Sequence, residues 1–267
     1  MSNGDIAAGS LDRDLAQRLN EALTAGHDEL FRVMQDQSPD VLRATLKNPH
    51  LGEPHLLSLL KRRDLGGELL KQICAMPSTR ESHSIRVALA HHPATQAPQL
   101  MEILPHLTLF ELATICAIPG GTPDQKIAAE RAIIQRLPTT PLGSKITLAH
   151  RGTGTVVEHL LKEGDPRLMA ACLDNPRLME RAVFQFLRNT TVTPEAISMV
   201  ARHQRWQSRT NVKLAILSNP RTPLIWFTHW LPALRTLEVR NLYESQRLNQ
   251  LQRREVVAEL DRRNRGV

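Results

Sequence analysis

With 267 residues, 41% of them hydrophobic, the chain can bury the core of one or two domains, but at 3% aromatic that core has to be built from Leu, Ile, Val and Ala. This composition suits short, closely packed helices and argues against an all-β sandwich, whose strands favour aromatic and β-branched side chains. The net charge of +7 is uneven: residues 1–138 hold 14 Lys/Arg against 16 Asp/Glu, and residues 139–267 hold 20 against 11, a balance of +9.

Several classes drop out at once. There is no block of five like charges and so no basic tail. No apolar run approaches the roughly eighteen residues of a membrane span. Met1–Ser10 lacks the basic-then-apolar order of a signal peptide. Cys74, Cys116 and Cys172 are isolated, apolar in context and unpatterned, which points to a reducing compartment and a cytoplasmic location.

In chain order, residues 1–11 are small and polar and are expected to form a disordered tail. From Asp12 onward, short apolar-periodic segments alternate with Pro, Gly and Asn. The spacing predicts helices near 12–25, 28–36, 39–47, 54–63, 66–76, 84–92, 97–104, 107–117 and 123–136. It predicts a second series near 141–150, 154–162, 166–174, 179–188, 194–203, 210–218, 222–231, 235–244 and 249–264. Most are too short to be stable alone and depend on burying one face against a neighbour. Asn48-Pro49 and Asn175-Pro176 read as helix stops, Asn tolerating end conformations and Pro lacking the donor for continuation. Ser38-Pro39, Thr122-Pro123, Thr193-Pro194 and Thr222-Pro223 read as starts, with the hydroxyl at the N-cap.

The second series repeats the first. Shifted by 127 residues the chain matches itself without a gap, and sixteen pairs between Pro39/Pro166 and Leu112/Val239 are identical. Asn48 falls on Asn175, Glu53 on Glu180, Ala88 on Ala215, and His92-Pro93 on Asn219-Pro220. The expected organisation is therefore a tail (1–11) and one all-α, right-handed α-solenoid over 12–267, in two copies, 12–138 and 139–267. Within each copy a helix-Asn/His-Pro element recurs at 44 residues, from 48 to 92 and from 175 to 219.

The strings Ile85-Arg-Val-Ala-Leu-Ala-His-His-Pro-Ala-Thr95 and Val212-Lys-Leu-Ala-Ile-Leu-Ser-Asn-Pro-Arg-Thr-Pro223 resemble the unit of bacterial HEAT-like repeats and of the leucine-rich repeat variant, armadillo-like helical proteins. The resemblance covers roughly residues 15–262. It implies right-handed stacks of helix pairs that mostly serve as binding scaffolds. The iron–sulfur cluster that the leucine-rich repeat variant can carry is not transferred, because no cysteine precedes Cys74.

Little points to catalysis. Ile118–Asp124 and His150–Thr155 are Gly-rich and precede helices, but they match neither a P-loop nor a dinucleotide fingerprint and read as interhelix turns. His50, Glu53 and His55 are the nearest approach to a metal set, without paired ligand spacing. Glutamates kept in both copies read as structural. No cofactor, metal or small-molecule substrate is expected, and no membrane partner.

Where the copies differ is more informative. Arg202, Arg205, Trp206 and Arg209 replace Ala75, Ser78, Thr79 and Ser82. Trp226 and Trp230 replace Gln99 and Ile103, as a core wedge or a binding patch. The expected partner surface is Arg202, Arg205, Trp206, Arg209 and Lys213, with Arg177, Arg181 and Arg188 as auxiliaries. The expected function is a non-catalytic scaffold or adaptor binding a protein or peptide in a groove. The alternative is a nucleic-acid-binding HEAT-like protein, similar to the alkylpurine DNA glycosylases of this fold, using the basic second copy.

Overall fold

The computed structural model describes residues 3–265, and side chains from residue 13 onward. Among these residues the backbone forms twenty α-helices, three short 3₁₀ turns and no strand, so the all-α expectation holds. No described helix is long and apolar enough to cross a membrane. The chain divides into two compact units, residues 1–133 and 134–267.

The first unit contains α1 (Asn3–Thr24), α2 (His27–Val33), α3 (Pro39–Thr45), α4 (Glu53–Leu59), α5 (Gly67–Ala75), α6 (Pro77–Glu81), α7 (His83–His91), α8 (Ala97–Ile103), α9 (Leu109–Ala117) and most of α10 (Pro123–Arg136). Helices α1, α3 and α5 pack side by side in one layer, and α2, α4, α7 and α9 in a second. The expected tail overlaps the start of α1; residues 1 and 2, and all side chains through residue 12, lie outside the described residues.

The second unit contains α11 (Leu142–Arg151), α12 (Gly154–Leu161), α13 (Pro166–Asp174), α14 (Glu180–Arg188), α15 (Pro194–Arg202), α16 (Gln204–Gln207), α17 (Thr210–Leu217), α18 (Leu224–Trp230), α19 (Thr236–Glu244) and α20 (Gln250–Arg265). Here α11, α13 and α15 form one layer and α12, α14, α17 and α19 the other. Both interiors are aliphatic, and residues 127 apart are buried alike: Leu30 and Val157, Leu56 and Val183, Ile85 and Val212, Leu112 and Val239.

Each of the eighteen expected helices overlaps an observed one. The two unexpected helices, α6 and α16, occupy corresponding places and lack apolar periodicity. Thr79 Oγ1 donates to Ile73 O on the adjacent α5, and the indole of Trp206 reaches further back, donating to Leu173 O on α13 at 3.2 Å.

The Asn-Pro turn after α13 stops its helix as expected, with Asn175 as the C-cap and extended (φ −66°, ψ 123°), as a residue before proline should be. What makes Asn necessary is its buried side chain. Asn48 Nδ2 donates to Ala22 O (2.9 Å) and Ala25 O (3.1 Å), and Asn175 Nδ2 to Ala149 O (2.7 Å), one helix pair earlier. Asn219 Nδ2 likewise reaches Leu187 O at 2.6 Å and Asn189 O at 3.1 Å. Each amide oxygen accepts a backbone N–H two residues on, from His50, Arg177 and Arg221.

His92 imitates this with a ring: Nε2 donates to Arg62 O at 2.6 Å and Nδ1 accepts from Ala94 N at 3.2 Å. The N-cap expectation holds for Thr122 and Thr193, whose hydroxyls accept from Gln125 N and Ala196 N. Ser38 makes no side-chain cap bond. Thr222 is buried and donates back to Ile216 O, as Thr95 does to Leu89 O.

Burial is the largest influence on His92 and holds its imidazole below the ordinary 6.5, against the opposing bond to Arg62 O and the charge of Asp64, with nearby Arg63 pushing the same way as burial. A lowered folded value means the unfolded chain takes up the proton first. Stability from this turn is therefore complete above about pH 6.5 and declines as pH falls below it towards the folded value. His92→Asn should fold normally and lose less stability than wild type between pH 7.5 and 5.5. Urea unfolding midpoints of the two proteins across that range check this.

Candidate binding groove

In the second unit α14 and α17 lie side by side with their starts and ends joined. At the start, Asn211 Nδ2 donates to Glu180 Oε1 at 3.1 Å, and Arg209 Nη1 lies 3.9 Å from Glu180 Oε2. At the end, Asn219 ties the turn after α17 to the last carbonyls of α14. The walls are thus held in place without a ligand.

Between them runs a groove whose larger part has a volume of about 510 Å³, within the range of ligand clefts. Phe184, Leu187, Leu214 and Ala215 supply its apolar lining, and Arg188, Thr190, Ser218, Pro220 and Arg247 border it. It continues along α14 past Arg181 and Glu180. Phe184 and Leu214 are half-buried, offering apolar surface to solvent. Arg188 lies over the Phe184 ring at 5.8 Å. Arg181, Arg188 and Arg247 are exposed and form no ion pair among the described residues.

The expected cluster is redistributed by this geometry. Trp206 is 1% exposed and belongs to the core, so it is not a surface residue. Arg205 stacks over it at 4.4 Å and donates to three backbone oxygens, Asn175 (2.8 Å), Pro176 (3.3 Å) and Leu178 (2.8 Å). It secures the Asn175 turn, as Gln125 and Gln252 secure those at His92 and Asn219. Arg177 is exposed, but its Nη1 donates to Arg151 O at 2.9 Å.

Arg202 is exposed on the last turn of α15. Lys213 lies 5.9 Å over the Trp230 ring and lines a smaller hollow with Thr210 and Glu238. Trp226 stacks on Trp230 at 5.0 Å and donates to Ser198 Oγ at 3.1 Å, as the core-wedge alternative describes. Of the expected residues, Arg181 and Arg188 reach the groove. Phe184, Leu214 and Arg247 join them unforeseen, although the same offset comparison marks Arg247, which stands where the first unit has Gly120.

The loops and histidines weighed for chemistry have packing roles. A Cβ at Gly154 would lie 2.7 Å from Arg177 O, so the glycine permits close approach of α12 to the Asn175 turn. His55 spends both nitrogens on the backbone, Nδ1 accepting from Gly52 N and Nε2 donating to His27 O. Burial pushes the Cys116 and Cys172 thiols up to about 12. Comparison with protein-family models, with curated proteins and with solved structures finds no match to this chain.

Two outcomes follow. Trp206→Ala should lower stability by about 3–5 kcal/mol, and Arg205→Ser by about 1–3 kcal/mol through its unpaired carbonyls. Arg209→Ser should stay within about 0.5 kcal/mol; denaturant melts of the three variants check the order. With burial disfavouring their thiolates and covering their sulfurs, Cys116 and Cys172 should react with Ellman's reagent at pH 8 only on unfolding.

Proposed function

We propose that this protein is a non-catalytic interaction module that holds a segment of another protein in the groove between α14 and α17. The observation carrying the reading is an apolar-floored groove, pinned at both ends, edged by Arg181, Arg188 and Arg247 with no acidic partner among the described residues. The groove replaces the Arg205–Trp206 cluster as the proposed surface; Arg202 and Lys213 lie outside it.

The reading retains the wider expectation from sequence: two copies of one helical-repeat unit, of the HEAT-like or leucine-rich repeat variant kind, arranged as an α-solenoid and working in the cytoplasm. Side-chain bonds repeated at 127 residues support it. The Asn48 and Asn175 bonds correspond, as do the Gln125 bond to His92 O and the Gln252 bond to Asn219 O, and the Thr108 and Arg235 amides capped by Glu111 and Glu238.

A nucleic-acid partner is the second reading, supported by the +9 balance of residues 139–267. Many of those arginines are already engaged: Arg205 and Arg177 on carbonyls, Arg262 and Arg263 on Glu259.

The test is recovery of partners from a nuclease-treated host extract by the tagged protein and by a triple variant, Arg181→Ser, Arg188→Ser and Arg247→Gly. A protein retained by wild type and lost by the variant, with equal melting temperatures, is the expected result. Retention that nuclease abolishes, with affinity for oligonucleotides falling steeply in salt, overturns the reading in favour of nucleic acid.

A further inference from the structure

Resting on the groove reading above, we infer that the occupant is an acidic amphipathic helix, with carboxylates at i and i+7 and apolar side chains at i+3 or i+4 between them. Arg181 and Arg188 are seven residues apart on α14, so they share a face and stand about 10.5 Å apart along its axis. A helical ligand repeats a face at the same interval. Two of its carboxylates can therefore meet the two guanidinium groups while the intervening turn drops its apolar side chain onto Phe184 and Leu214. The walls, nine and eight residues long, accept about two turns of such a helix.

The backbone chemistry favours a helix over an extended segment. A strand on this floor would bury unpaired peptide groups, because the helical walls satisfy their own amides and carbonyls and offer no edge. A helix satisfies its own backbone and exposes only side chains to the floor, which is the helix-in-groove mode of recognition.

Charge selects the acidic class. Glu180, the acidic residue of the rim, is engaged by Asn211 and faced by Arg209, which leaves the three groove arginines to set the local field. A basic ligand would meet like charge.

A backbone outlier supports the assignment of Arg247. In the first unit the turn before α10 takes its left-handed residue at Gly120 (φ 81°). The corresponding turn before α20 places it one position earlier, at Gln246 (φ 53°), the only positive-φ residue other than glycine among those described. The left-handed region is disfavoured for a residue with a Cβ relative to glycine. Moving it to Gln246 leaves position 247 free to carry an arginine beside the groove.

The experiment selects binders from a phage-displayed library of short random peptides against the intact protein, then measures a selected peptide by fluorescence anisotropy and photo-crosslinking. The expected result is enrichment of acidic residues seven apart around an apolar pair, gain of helical circular dichroism on binding, and crosslinks to α14 or α17. Affinity should drop at least about 10-fold in Arg181→Ser/Arg188→Ser, with the melting temperature unchanged because both side chains are exposed. Groove-crosslinked peptides that lack the acidic pair, or that the double variant binds equally well, overturn the acidic-helix inference and leave the groove reading standing. No enrichment, or crosslinks only elsewhere, overturns both. Displacement of the peptide by a short duplex oligonucleotide at about 0.15 M salt overturns the choice of a protein ligand.

Discussion

Each unit depends on a polar side chain buried at the turn between successive helix pairs. At positions 48, 175 and 219 an Asn, and at 92 a His, donates to carbonyls at the end of an earlier helix and accepts from an amide two residues ahead. Helices of seven to ten residues cannot stand alone, and apolar burial fixes their separation without fixing their register. A buried donor left unpaired costs about 1–3 kcal/mol, so sliding one helix along its neighbour is penalised at every such turn. The same constraint builds the groove: the amide of Asn219 sets the end of α17 against the end of α14, and the space between them follows.

Correspondence between the units separates scaffold from novelty more finely than sequence identity does. Glu53 accepts from Ser82 at 2.8 Å, and Glu180 is approached by Arg209 and Asn211, so the glutamate joins the same two helices in each unit with different partners. Arg205 and Trp206 differ from Ser78 and Thr79, yet they act inward. Trp206 reaches back to Leu173 on α13 where Thr79 bonds only the adjacent α5 at Ile73, and Arg205 fastens carbonyls where the Ser78 hydroxyl is buried without a partner. A gain of charge and aromatic bulk in one unit alone was therefore ambiguous evidence for a surface. Arginine and tryptophan serve a core turn as readily as a partner, because guanidinium and indole donors both suit buried carbonyls.

Helix positions were legible because apolar periodicity and Pro punctuation act within a single segment. Helices α6 and α16 were not, since each is about one turn held by a buried side chain, Thr79 on Ile73 O and Trp206 on Leu173 O. The groove was half legible. The seven-residue interval of Arg181 and Arg188 puts them on one face whatever surrounds them, but that α17 faces them follows from Asn219, whose side chain spans 32 residues to Leu187. Asn219 read as a helix stop, and its more important bond leaves no local trace. The left-handed Gln246 was equally hidden, because nothing in Ser-Gln-Arg-Leu marks it.

The edge of the groove in the second unit carries small residues as well as basic ones. Where the groove has Ser218 and Thr190, the first unit has His91 and Arg63. There the His91 ring bonds Val87 O at 2.6 Å and Arg63 reaches His91 O at 3.5 Å, so both side chains lie along the counterpart of the groove. Ser218 makes the equivalent bond to Leu214 O at 2.7 Å with a shorter side chain. Phe184, in place of Leu57, widens the apolar floor. The second unit thus has two short polar side chains where the first has two long ones, and arginines at 181 and 247 where the first has Pro54 and Gly120. Both ends stay pinned in each unit, by the glutamate at the start and by His92 or Asn219 at the end, so the edge residues can differ while the helix ends remain tied.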